Sequence, residues 1–411
     1  MMKKIAFIIF LSAFLGNVYG QKKPVKKEKE EPFKAAVLVV GNGNAAVAAA
    51  IQSAVSGVKT TILLQAGGFD IVSPLNDLNS GIQANFLKKY KEGFYVDKNV
   101  VELGGSFDKQ KANAILKLIT DSIKNLQVIK NVMWIKADRS GNNWVFRLSD
   151  GSTIRPRVLI NPADKKLNEA LAITASSTKW NKLDYNNTLY RTSVAAGRFV
   201  NGSTSNIFSM YDFFIADQEN LVWINDAESM ELGQAAGATA AYAAFYGTKT
   251  SLSNLKKIQG ELINYKLNLM PFDDVKQTDS NWKAVQFVGL TGVLKADISG
   301  NKVLFSPEKM VSTNDVKQPV KDFFYKAQIW FDDYKSEKMT IGATIDMVCY
   351  VGNKALESTK KELAKKWKTN YQFKTELDLD RQVNRIEFAA ILQDYMPPFN
   401  VNVDKTGKVV R

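Results

Sequence analysis

The sequence predicts an α/β fold: a parallel sheet with flanking helices, a small β-rich insertion, and a helical module at the C-terminal end. Three observations carry this. Residues 35–40 (AAVLVV) form an unbroken apolar run, as expected of a strand buried on both faces of a parallel sheet. The run passes through a glycine-containing turn into an Ala-rich stretch at 44–56, then into a second β-branched run at 60–65 (TTILLQ). Strand, tight turn, helix and strand make one βαβ unit. Composition then shifts at Met270-Pro271, beyond which the apolar spacing is helical.

Taken in order, residues 1–20 are expected to be a secretory signal. Lys3 and Lys4 precede the apolar run 5–15, which is too short to span a bilayer, and cleavage is expected after Gly20. The protein is therefore expected to be exported, to the periplasm, the medium or the cell surface. Residues 21–34 (QKKPVKKEKEEPFK) form a charged linker. Residues 35–268 are expected to be one domain. Within it, 70–107 is irregular, and 108–126 has helical apolar spacing. Residues 127–137, 144–148 and 153–160 read as strands, separated by Ser140-Gly141-Asn142-Asn143 and Asp150-Gly151 turn signals. Further strands are expected at 189–200 and 221–225. A helix is expected at 229–246, and another at 251–264 with a serine cap. Residues 269–411 form the helical region, in two imperfect halves, 271–335 and 339–399.

Composition closes off several chemistries. The 411 residues include no histidine and one cysteine, Cys349. That excludes Ser-His-Asp hydrolysis, imidazole-ligated zinc, His-ligated haem, an intrachain disulfide and a CxxC redox pair. Asp332, Asp333, Asp378 and Asp380 lack metal-ligand spacing, so no metal is expected. The net charge of +14 suits contact with anionic glycans, whereas no nucleic-acid-binding motif is present. No residue stands out as a catalytic base.

One motif carries chemistry. Val40-Gly41-Asn42-Gly43-Asn44-Ala45-Ala46 fits G-x-G-x-x-A, placed after an apolar strand and at a helix start. Gly41 permits the tight turn, Gly43 lets backbone approach a pyrophosphate, and Ala46 keeps helix close to sheet. Free N–H groups and the positive dipole end face the phosphates. The phosphate-binding candidates are Gly41, Asn42, Gly43, Ala45 and Ala46. The second strand ends in Gln65 where an acid usually receives ribose hydroxyls, so a charge-assisted contact becomes a neutral one. Downstream, Asp226 precedes a Gly/Ala helix (MELGQAAGATAAYAA) whose start is a second candidate ligand-facing element.

Together the G-x-G-x-x-A unit, the DGSTIRPRVLI hairpin at 150–160 and the late helix resemble the FAD-dependent oxidoreductases of the two-dinucleotide-fold type, in the exported, xanthan-lyase-like subgroup. The resemblance covers about residues 35–265. It implies a Rossmann-like FAD/NAD(P)-binding domain and FAD as cofactor, with a small-molecule or glycan-derived substrate. By the same resemblance Gly41, Gly43 and Ala46 hold the pyrophosphate and Gln65 the ribose. Gly233, Gln234 and Gly237 approach the ribitol and flavin ring, with Asp226 near the ribitol. The sequence departs from the pattern at 67–72 and at Ile160-Asn161-Pro162-Ala163, and the segment between hairpin and late helix is short. These departures support an alternative: a catalytically degenerate relative that acts as a binding or surface-associated protein. In the C-terminal region, Phe272-Asp273-Asp274-Val275, Trp282, Gly292, Phe305-Ser306-Pro307 and Asn384-Arg385-Ile386-Glu387 resemble S-layer-homology modules. That resemblance implies contact with cell-wall or surface glycans.

Overall fold

The computed structural model describes residues 34–73, 78–92, 108–174, 180–197, 205–300 and 302–410. The expected signal (1–20), all but the last residue of the linker, and most of the irregular stretch after residue 92 lie outside them. The first part of the chain runs β1 (Val37–Val40), α1 (Asn44–Val55), β2 (Thr60–Leu64), α2 (Gly81–Lys91), α3 (Lys109–Asp121) and β3 (Leu126–Lys130). Then come β4 (Trp134–Ser140), β5 (Asn143–Leu148), β6 (Thr153–Ile154), β7 (Val158–Pro162) and α4 (Lys165–Ala170). They are followed by β8 (Asn181–Lys182), β9 (Ser193–Gly197), β10 (Asn206–Ser209), β11 (Leu221–Ile224), α5 (Met230–Tyr246) and α6 (Leu255–Asn264).

Five strands form one parallel sheet in the order β11-β7-β1-β2-β3. This is a Rossmann-like α/β fold. Its strands are short and buried along their whole length at the centre because both faces are covered. Val37, Val39, Ile62, Val158, Ile160 and Val222 face the helical layer. Leu38, Val40, Leu63, Leu159 and Leu221 face the other way, into a cluster with Trp134, Trp144, Phe146 and Leu148. Those aromatic residues come from the antiparallel meander β4-β5-β6, so three layers stack: meander, sheet, helices. The β-rich insertion also contains a small antiparallel sheet, β8-β10-β9.

Several boundaries differ from the expected ones for local reasons. The run 127–137 divides into β3 and β4 at Asn131, whose φ of 57° breaks the extended backbone. Residues 153–160 divide into β6 and β7 around Pro156, which has no N–H to give a ladder. The first residues of 189–200 form a 3-10 turn, Leu189–Thr192, before β9 begins. Helix α6 begins at Leu255 with Asn254 as its cap, because Thr250–Leu252 is occupied by another 3-10 turn.

The C-terminal region contains α7 (Trp282–Thr291), the hairpin β12 (Asp297–Ser299) and β13 (Lys302–Leu304), α8 (Thr313–Phe323), α9 (Lys326–Asp333), α10 (Ile341–Gly352), α11 (Leu356–Thr369) and α12 (Arg385–Tyr395). Its internal symmetry is threefold rather than twofold. Val311 N–H donates to Val383 C=O, Val383 N–H to Met339 C=O, and Met339 N–H to Val311 C=O, closing a ring of three backbone hydrogen bonds at 2.9, 2.9 and 3.2 Å. From each corner a helix departs behind a capping side chain: Ser312 for α8, Thr340 for α10 and Asn384 for α12. This region shares its core with the sheet domain. The buried Arg191 guanidinium donates to Thr291 C=O and Gly407 C=O, and Trp282 Nε1 donates to Asn268 Oδ1. Lys34–Arg411 is one compact unit.

Candidate functional site

The sheet reverses its order of build-up at β1, where β2 lies on one side and β7 on the other. In open α/β sheets the crevice beyond the carboxyl ends of the strands at such a point is where ligands bind. Here that crevice is a cavity of about 480 Å³. Its floor is the turn from Gly41 to Ala46. Its walls are the ends of β2 (Gln65, Ala66) and β7 (Pro162, Ala163, Asp164), with Asp70, Val72, Ala227 and Glu228.

The turn is built as the motif requires. Gly41 has φ of 144°, and a Cβ there would sit 3.3 Å from the Ala46 Cβ, so both positions demand small residues. Gly43 occupies the N-cap of α1 with no side-chain cap. The N–H groups of Gly43, Asn44 and Ala46 carry no hydrogen bond among the described residues, and all three residues line the cavity. Unsatisfied N–H groups and the positive end of the helix dipole suit an anion there. The wall contains no lysine or arginine among the described residues, so phosphate binding would rest on backbone alone.

Asn44 organises the rim. Its buried side chain donates from Nδ2 to the Val72 and Glu228 carbonyls and accepts at Oδ1 from Val72 N–H, each at 3.0 Å. Ala45 N–H donates to Ala227 C=O at 3.0 Å, and Asp70 N–H to Asn42 C=O at 2.8 Å. The segments after β2 and β11 are thereby tied to the start of α1. Beside this cavity, sharing Asn42, Ala66 and Asp70 with it, a second cleft is lined by Lys109, Lys117 and Lys130. Lys109 pairs with Asp70 at 2.7 Å.

Of the residues singled out in the sequence, Gly41, Asn42, Gly43, Ala46 and Gln65 line the cavity. Five others face elsewhere. Gly233 and Gly237 sit against the backbone of α1: a Cβ would lie 2.2 Å from Ala45 O at the first and 2.4 Å from Ala49 O at the second. Their smallness serves close helix contact. The Gln234 amide is buried and bonded to Ile82 N–H, Gln52 Oε1 and Tyr265 C=O. Ala45 is covered by the same helix contact. Asp226 accepts from Glu228 N–H and Trp180 Nε1. The turn and the β2 end therefore fit the adenosine diphosphate half of a cofactor such as FAD. The residues expected beside its flavin half do not line the cavity.

Sequence reading missed Asp164. It stands in the cavity wall and accepts at Oδ2 from Gln65 Nε2 at 2.8 Å, across the end of β1. Its other oxygen caps α4 through Leu167 N–H. No helix was expected at 165–170, and that Asp164 faces Gln65 depends on β7 pairing with β1.

Fold and cavity thus define a Rossmann-like α/β protein with a crevice at the switch point of its sheet. No protein-family model matches the chain, and no curated protein matches it. Among solved structures it is similar to the bacillithiol disulfide reductase Bdr of Staphylococcus aureus, at 12% identity and a TM-score of 0.22, covering 32% of this chain and 38% of that one. It is also similar to the flavin-dependent monooxygenase PieE in complex with FAD and substrate (14%, TM-score 0.27, covering 36% and 33%). The thioredoxin reductase of T. acidophilum is another (17%, TM-score 0.20, covering 37% and 38%). The match spans well under half the length of each of these proteins.

Proposed function

We propose that this chain is an exported protein of the FAD-dependent oxidoreductase type that holds the ADP half of FAD in the cavity at the carboxyl end of β1. One observation carries the reading: three unbonded N–H groups at the start of α1 open onto a cavity bounded by the polar Gln65–Asp164 pair. When bound, flavin would supply hydride chemistry; the chain's part is to hold and orient it. A second reading, a relative that binds nucleotide without catalysis, is favoured by Gly233 and Gly237 packing on α1. Contact of residues 269–411 with surface glycans, and a small-molecule or glycan-derived substrate, belong to the same proposal and rest on resemblance.

The test is an absorption spectrum of purified residues 21–411 with and without added FAD, beside melting curves with FAD and with ADP. Flavin bands that survive desalting support the flavoprotein. Stabilisation by ADP without retained flavin supports the second reading; at a hundredfold excess over Kd, about 2.7 kcal/mol is expected. No response to either nucleotide overturns both. Gly43→Ala is the matched variant. Its Cβ would lie 3.4 Å from Ala227 O, an ordinary contact, so the fold is expected to persist while phosphate approach is blocked.

A further inference from the structure

The end of β2 lacks the acid that receives ribose hydroxyls in many dinucleotide sites, yet a carboxylate stands opposite it. We infer that Asp164 receives the ribose hydroxyls of an ADP-bearing ligand, supplying from the β7 side of the cavity the charge that β2 does not; this rests on the nucleotide reading above.

The carboxylate is held in place from several directions. Oδ1 accepts from Leu167 N–H at 2.8 Å and Oδ2 from Gln65 Nε2 at 2.8 Å. The Asp164 N–H donates to Asn161 Oδ1 at 3.1 Å. Asn161 Nδ2 donates in turn to Asn168 Oδ1, which also accepts from Trp223 Nε1 on β11. The preceding residue, Ala163, has φ of 59°, a conformation that a non-glycine residue keeps only where its surroundings impose it. The strained turn and the bonds around it aim the carboxylate rather than leaving it to swing.

The valence left over matches a diol. An ionised carboxylate offers about four lone-pair sites. Two are used by Leu167 and Gln65, which leaves two for a pair of O–H donors. No lysine or arginine lines this cavity among the described residues, so no side-chain cation pairs with the carboxylate there. A neutral diol is attracted, and a phosphate in its place is repelled. The ligand class is an adenine nucleotide with a free ribose diol. Gln65 acts as a positioning residue that donates to the acid.

The experiment is calorimetric titration of ADP and 2′-deoxy-ADP into the wild-type chain and into Asp164→Asn. Asparagine also caps helices well, so α4 is expected to persist. A hydrogen bond to a charged group is expected to make the wild type prefer ADP over 2′-deoxy-ADP by about tenfold or more. In Asp164→Asn the preference is expected to fall to about threefold, because a neutral bond carries roughly half the free energy. ADP binding with equal affinity for the deoxy analogue, or an unchanged preference in the variant, overturns this inference and leaves the nucleotide reading standing. No ADP binding at all overturns both. If the variant does not fold, the wild-type preference alone decides: its absence refutes the role of Asp164.

Discussion

Replacing Gly233 by alanine adds one methyl group where the backbones of α5 and α1 touch. The added Cβ would lie 2.2 Å from Ala45 O and 2.7 Å from Ala45 Cα, and both of those atoms are backbone. No side chain can turn aside, so α5 must retreat from α1. A gap of about 1 Å forfeits a quarter to a half of each dispersion contact across it. Overpacking of this kind costs up to about 3 kcal/mol. The better helix propensity of alanine offsets about 1 kcal/mol, leaving a net loss of about 2 kcal/mol. With an unfolding entropy of about 2.1 cal/mol/K per residue, a unit of the length Lys34–Arg411 then melts about 2–3 °C lower. The control is Gly260→Ala on α6, where the new Cβ would meet nothing nearer than Phe399 at 4.0 Å. There the same substitution is expected to stabilise by about 0.5–1 kcal/mol. Melting curves and urea midpoints for the two variants should therefore move in opposite directions. A Gly233→Ala protein that melts at or above the wild type would refute the assignment of this glycine to helix packing.

Two further outcomes follow from buried polar groups. Asn44→Ala removes three hydrogen bonds at the cavity rim, at a cost of about 1–3 kcal/mol; hydrogen exchange at the Val72 N–H should accelerate by about tenfold or more, and unchanged protection would refute the tie. Burial, with added repulsion from Arg191, pushes the Lys256 ammonium down to about 7, whereas the unfolded chain titrates at about 10.4. Between those values the unfolded state binds more protons, so stability rises with pH, and below about pH 7 both states are charged and the full penalty stands. Lys256→Met should remove that rise, seen as a smaller pH dependence of Tm than in the wild type, and an unaltered slope would show that Lys256 stays charged.

The βαβ unit could be read from the sequence because its determinants are local. A strand covered on both faces needs an unbroken apolar run, and the turn needs glycine where Gly41 has positive φ. The meander was legible through Gly141 and Gly151, which also have positive φ at its turns. What escaped depends on distant partners. Glycines four residues apart on an alanine-rich helix face either a ligand or another helix, and only the position of α1 decides which. Asp164 gained its place in the site from strand pairing between residues far apart in the chain. The threefold ring escaped for another reason. Its bonds run between backbone groups of Val311, Met339 and Val383, and the only sequence trace is an apolar residue followed by a capping Ser, Thr or Asn, a pair too common to mark a repeat.

The α1–α5 contact also sets an order of events during synthesis. Helix α1 and the first two sheet strands emerge early, but the surface that covers α1 is Gly233 and Gly237. At about 5–20 residues per second, the helix waits on the order of 10–40 s for that cover. Through this interval its small, apolar face has only transient neighbours. The face of residues 44–55 is therefore buried only once nearly two hundred further residues have followed it.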